Sequence, residues 1–86
     1  MALYKYQNFL APTKNRSFDL ALQPGAFVPC AGIYRCTGCG NEIATDAVGV
    51  LPDRHHHPHQ PAQGAIQWQL IIATVSTVAT PYLHGG

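Results

Sequence analysis

The sequence predicts a small, mainly β protein: an antiparallel sheet stapled by one metal site, with little or no helix. Three observations point there. The chain has 86 residues, the size of one domain. A chain of that size buries only about 60% of the surface its unfolded form exposes, so its core calls for a staple. The staple is available, because four of the five histidines fall within residues 55–59 and two of the three cysteines stand three positions apart. Finally, apolar and polar residues alternate after residue 65, while eight glycines and seven prolines cut the rest into short pieces.

Composition narrows the function. Charged residues make up 10% of the chain, against roughly 25% in an average soluble protein. At 47% apolar it is not a highly charged disordered chain. The net charge of +1, with Lys5, Lys14, Arg16, Arg35 and Arg54 scattered along the chain, argues against nucleic acid as a partner. The most apolar run, Leu70 to Thr80, has 11 residues, whereas a membrane helix needs about 20. No basic start leads into an apolar run of signal-peptide length. The expectation is a cytoplasmic protein, where thiols stay reduced and bind metal more often than they cross-link. Three cysteines, an odd number, fit a disulfide framework poorly.

The elements follow in order within a single domain spanning residues 1–86. In the N-terminal segment 1–23, Tyr4 and Tyr6 alternate with Lys5 and Gln7, which predicts a short strand, and Pro12 with the polar residues after it marks a loop. Pro24-Gly25 predicts a β-turn, and Pro29 and Gly32 bracket a second one. Ile33 to Cys36 reads as a strand entering a metal knuckle, and residues 41–51 as a returning strand and a turn. Pro52, Pro58 and Pro61 keep the histidine segment out of helix and central strand. Ile66, Trp68, Leu70 and Ile72 alternate with polar or outward positions, predicting the best strand of the chain, which Val75, Thr77 and Val78 extend. Trp68 is expected near the metal site with Tyr34 across from it. The aromatic residues Tyr4, Tyr6, Phe9, Phe18, Phe27, Tyr34, Trp68 and Tyr82 are assigned to the core. Residues 81–86 are expected to fray.

The sharpest motif is Cys36-Thr37-Gly38-Cys39-Gly40. Two thiolates three positions apart face one point when a tight knuckle joins them; Gly38 and Gly40 are expected to supply positive φ there, and the turn's N–H groups to support the sulfurs. A structural zinc takes four N/S ligands, commonly as pairs on two turns. The ribbon spacing places a second pair 15–20 residues on, and Cys36-x2-Cys39-x16-His56-x2-His59 matches it with histidines. His56 and His59 are therefore the expected partners. His57 with His59 is an alternative, since an H-x-H pair on extended chain points both rings to one side; His55 with His59 is another. Cys30 is a further sulfur, read as a small buried apolar residue or a third thiolate ligand.

The run Pro24-Gly25-x3-Pro29-x2-Gly32-x-Tyr34 followed by Cys36-x2-Cys39-Gly40 resembles an element of small bacterial zinc-ribbon, rubredoxin-like proteins of unknown function. The resemblance covers residues 24–72. It implies a zinc-ribbon-like fold and one Zn²⁺, with no activity attached. Only Cys36 and Cys39 carry over, because histidines stand where that family has its second cysteine pair.

Three functions are compatible with these residues. A structural zinc module acting through a protein partner fits a four-ligand site, which leaves no open position for catalysis. A metal-handling protein or zinc enzyme would use the extra histidines, with Glu42, Asp46 or Asp53 as base. A carrier of the ubiquitin-like or sulfur-carrier kind would use the terminal Gly85-Gly86, though the chain shows no helix after a first hairpin as that fold requires.

Overall fold

A computed structural model describes residues 1–46, 49–53 and 55–74. Its centre is a three-stranded antiparallel sheet in the order β2-β1-β3, with β1 at Gly32–Cys36, β2 at Glu42–Thr45 and β3 at Trp68–Ala73. Among the described residues the helical elements are three short 3-10 turns, Gln7–Phe9, Arg16–Asp19 and Pro61–Gln63. The predicted small β fold is present.

The strand alternation seen in the sequence decides which face is buried. Gly32, Tyr34 and Cys36 of β1 point inward, as do Trp68 and Leu70 of β3. Ile66, Leu51, Val28 and Cys30 complete the buried group. Tyr34 and Trp68 are both fully buried, but they are not opposite one another: Cys36 faces Trp68, and Tyr34 faces Leu70. The expected Tyr34–Trp68 pairing is thus shifted by one inward position, because the knuckle begins at Cys36 and β3 starts level with it.

A bulge falls between Ile33 and Tyr34 in the β1–β3 register, with Ile71 as the extra residue. Beyond it the faces of β3 exchange. Ile72, expected inward, pairs with Ile33, and Ala73 packs on the core instead. Gly32 makes the close approach possible: a Cβ there would run into the Ile72 carbonyl oxygen and come within 3.0 Å of the Ala73 Cα.

The flanking segments cover the sheet. Leu22 and Trp68 exchange two backbone hydrogen bonds of 2.8 Å, so Trp68 is held from both sides. The Gln69 side chain donates to the Phe18 carbonyl at 2.7 Å, tying the Arg16–Asp19 turn to β3. Asn15 caps that turn by accepting from the Ser17 N–H at 2.9 Å. Pro24-Gly25 forms the expected turn, closed by the Ala26 N–H on the Gln23 carbonyl with Gly25 at φ +82°. Residues 25–28 then pair with 49–51, which buries Leu51.

The N-terminal segment departs from expectation. Tyr4 and Tyr6 form no strand; a 3-10 turn at Gln7–Phe9 stands there instead. Tyr6 packs edge-on against Phe9, with ring centroids 5.8 Å apart, a local contact that needs no sheet partner. Tyr4, Tyr6, Phe9 and Phe27 are exposed, at 54–82%, and so lie outside the core that the sequence predicts for them. Residues 75–86, with Val75, Thr77, Val78, Tyr82 and Gly85-Gly86, lie outside the described residues, as does Arg54.

Candidate metal centre

The site is built where the β1–β2 hairpin turns and where the chain enters β3. In the first knuckle the Gly40 N–H donates to the Cys36 carbonyl at 2.8 Å, and the Cys36 N–H donates to the Asn41 carbonyl at 2.7 Å. Gly40 supplies the positive φ, +82°. Gly38 does not have one. It is required for space, since a Cβ there would lie 2.5 Å from the Gln63 carbonyl and 2.8 Å from the His59 ring.

The second knuckle is set by its prolines and by Asp53. The Asp53 carboxylate accepts from the His55 N–H at 2.9 Å, and the Asp53 carbonyl accepts from the His56 N–H at 3.1 Å. This turn leaves His55 and His56 exposed. Past it the chain extends through Pro58, and His57 and His59, two apart, face the same side. Pro61 then opens a 3-10 turn capped reciprocally by Gln60 and Gln63. Gly64 follows at φ +75°, a conformation glycine adopts without strain, and its carbonyl oxygen lies 2.7 Å from His59 Nδ1.

The two knuckles bring four donor atoms together. One ligand atom from each of Cys36, Cys39, His57 and His59 lies within 4.8 Å of all the others. Cys36 Sγ is 3.3 Å from His59 Nε2, Cys39 Sγ is 3.2 Å from His57 Nε2, and the two Nε2 atoms are 3.0 Å apart. In a tetrahedron around zinc, bonds of about 2.0–2.1 Å to nitrogen and about 2.3 Å to sulfur give edges of about 3.3 Å between nitrogens and about 3.6 Å from nitrogen to sulfur. The separations here are within a few tenths of an ångström of those edges.

The donor chemistry fits a cation. A carbonyl oxygen only accepts, so His59 carries its proton on Nδ1 and turns the lone pair of Nε2 into the group. The carbonyl is the main influence raising the pKa of His59; partial burial opposes it, and the Cys36 sulfur adds to it. Burial weighs most on the Cys36 thiol and pushes its pKa up. The backbone N–H groups of Cys39 and Gly38, with the side chains of His57 and Cys39, together outweigh burial and hold the thiol down to about 6. It is therefore ionised at neutral pH, the state a metal ligand needs. Two thiolates and two neutral imidazoles would balance the charge of a divalent ion.

Of the expected ligands, Cys36, Cys39 and His59 join the group, and His57 stands in it where spacing had favoured His56. The spacing rule assumes two cysteine knuckles of the same shape; here the Asp53 turn consumes His56, and Pro58 carries the chain as an H-x-H pair. His56 sits behind the group, its Nδ1 3.2 Å from His57 Nδ1. His55 and Cys30 are outside it. Cys30 is buried, with the Tyr34 hydroxyl donating to its carbonyl at 2.6 Å, and burial pushes its thiol pKa up while the contact with Tyr34 opposes that. Glu42 is engaged by Arg35 at 2.9 Å, and neither it nor Asp46 belongs to the donor group.

This is a small three-stranded antiparallel β protein whose Cys-x-x-Cys and two histidines lie side by side, fitting a zinc-binding module. Among curated proteins it is similar to "Protein L" of Escherichia coli, 51% identical over 51 residues, or 59% of this chain. The chain covers 58% of that relative's length. No family model matches the chain, and no solved structure matches it. Among the described residues no helix is long and apolar enough to cross a membrane.

Proposed function

We propose that this chain is a structural zinc module of the zinc-ribbon kind, in which one Zn²⁺ held by Cys36, Cys39, His57 and His59 closes the fold and the surface serves to bind a protein partner. One observation carries the reading: four donors of the zinc-preferred types, from two separate turns, converge within 4.8 Å. Four protein ligands fill a tetrahedral ion and leave no position for a catalytic water. The weak net charge of +1 favours a protein over nucleic acid as partner. Cytoplasmic residence, with reduced thiols, suits a Cys₂His₂ site. The likeness to Protein L is compatible with this reading, and its name assigns no activity.

The test is metal content by native mass spectrometry, followed by amide spectra with and without a chelator. One zinc per chain and collapse of amide dispersion on chelation support the proposal. Full dispersion in zinc-free protein would sink it.

A groove of about 820 Å³, lined by His57 and His59 together with His55 and Asp53, supports a second reading. In it the ion would be reached from outside, as in a metal-handling protein or an open-site enzyme. X-ray absorption of the zinc-loaded protein separates the two: a water ligand favours the open site, and two sulfurs with two imidazoles favour the structural one.

A further inference from the structure

We propose that His56, which is not a member of the donor group, is the positioning residue for His57: its Nδ1 accepts a hydrogen bond from the Nδ1–H of His57 and so fixes both the ring and the tautomer of that ligand. This rests on the metal-site reading above. His57 turns Nε2 into the group, 3.2 Å from Cys39 Sγ and 3.0 Å from His59 Nε2. A nitrogen that ligates is bare, so the neutral ring keeps its proton on Nδ1. His56 Nδ1 lies 3.2 Å from that nitrogen. It is then the acceptor, and the proton of His56 resides on its own Nε2.

The arrangement parallels His59, whose Nδ1 meets the Gly64 carbonyl at 2.7 Å. Both imidazole ligands thus have a partner on the nitrogen that faces away from the group. Such partners orient the ring and raise its basicity as a ligand. What differs is the acceptor, a neighbouring imidazole in one case and a backbone carbonyl in the other.

His56 is also held in place. Its ring is edge-on to His57, with centroids 5.5 Å apart at 88°, and edge-on to Trp68, 6.0 Å apart at 70°. His57 is edge-on to Trp68 as well, at 5.7 Å and 73°. The three rings form a closed triangle standing on Trp68, which is fully buried and hydrogen-bonded through its backbone to Leu22. The backbone N–H of His56 is engaged by the Asp53 carbonyl at 3.1 Å. An acceptor pinned by ring packing and by its own backbone presents its lone pair in one direction. The histidine run therefore divides its labour: His57 and His59 ligate, and His56 aims His57.

The experiment uses the full chain loaded with zinc, slightly above neutral pH. Zinc affinity is read by competition with a chromophoric chelator, and the histidine tautomers by long-range proton–nitrogen correlation spectra. His56→Phe keeps a ring edge against Trp68 but removes the acceptor. Its zinc affinity should fall about tenfold, the lower end of what losing such a partner costs, since His56 is exposed and water competes for the proton. The His57 nitrogen signals should shift while those of His59 stay. His56→Gln, which retains an acceptor, should recover most of the affinity. Wild-type affinity and unchanged His57 signals in His56→Phe would overturn the proposal while leaving the zinc site standing. If His57→Ala binds zinc like the wild type and the added loss of His56 abolishes binding, His56 is itself a ligand and the proposal also falls. A wild-type chain that takes up no zinc overturns both this inference and the reading beneath it.

Discussion

At the scale of the residue, the knuckle explains its own glycines. Gly38 has no positive φ, yet no other residue fits, because His59 and the Gln63 carbonyl occupy the space of its Cβ. Gly38→Ala should destabilise the zinc-loaded protein by about 1–3 kcal/mol, the usual cost of overpacking, and weaken zinc binding because the group displaced is the His59 ring. Thermal denaturation and chelator competition together check this. The thiols make a second prediction. Cys36 is held down to about 6, whereas burial raises the Cys30 thiol above 9.0. In metal-free protein, ultraviolet thiolate absorbance should rise as pH passes about 6, and the Cys30 step should come only above 9.0. The sign for stability follows. A folded pKa below the unfolded one means that the Cys36 thiolate favours the fold. That contribution is complete above 9.0 and fades as pH falls through about 6. Absence of a thiolate step near 6 would show that the knuckle N–H groups do not support the sulfur.

At the scale of the element, the β1–β3 pairing is what brings the two knuckles together. The register puts Cys36 opposite Trp68, and the indole then carries His56 and His57 on its edge. Trp68→Ala should cost about 3–5 kcal/mol, as large aromatic deletions in a core do, and should lower zinc affinity as well, because the support of His57 goes with it. A measured loss of stability with zinc binding unchanged would mean that the knuckle stands without the indole. Tyr34→Phe removes the hydroxyl that donates to the Cys30 carbonyl at 2.6 Å. In a buried place this should cost about 1–2 kcal/mol by chemical denaturation. Strand periodicity alone shows that Tyr34, Trp68 and Leu70 point inward. It does not show that Ile72 leaves that face, because the bulge depends on which residues of β1 meet β3 and on how closely Gly32 lets them approach.

At the scale of the whole molecule, the core is small. The buried apolar group consists of Val28, Cys30, Tyr34, Cys36, Leu51, Ile66, Trp68 and Leu70 among the described residues, and one of these is itself a proposed ligand. A chain with so little buried surface gains folding free energy from a bound ion, since the site is not assembled in the unfolded state. Chelation should therefore lower the denaturation midpoint steeply, and added zinc should restore it. The amide spectra of the knuckles and of β3 should lose dispersion first, because these elements share the site.

Ligand chemistry and strand periodicity are legible in the residues alone. Cys36-x2-Cys39, the histidine window and the alternation through Trp68 name a small β protein with a metal site, because ligand types and strand faces are local properties. Everything else depends on contacts between segments distant in the chain, and so on the folded arrangement. It chose His57 over His56, since the Asp53 turn and Pro58 fix which rings face the sulfurs. It exposes Tyr4, Tyr6, Phe9 and Phe27, for which composition alone predicts a place in the core, since hydrophobicity cannot say whether a partner surface lies within reach. And it placed Trp68 beneath the histidines, a contact set by strand register across the 31 residues of chain between Cys36 and Trp68.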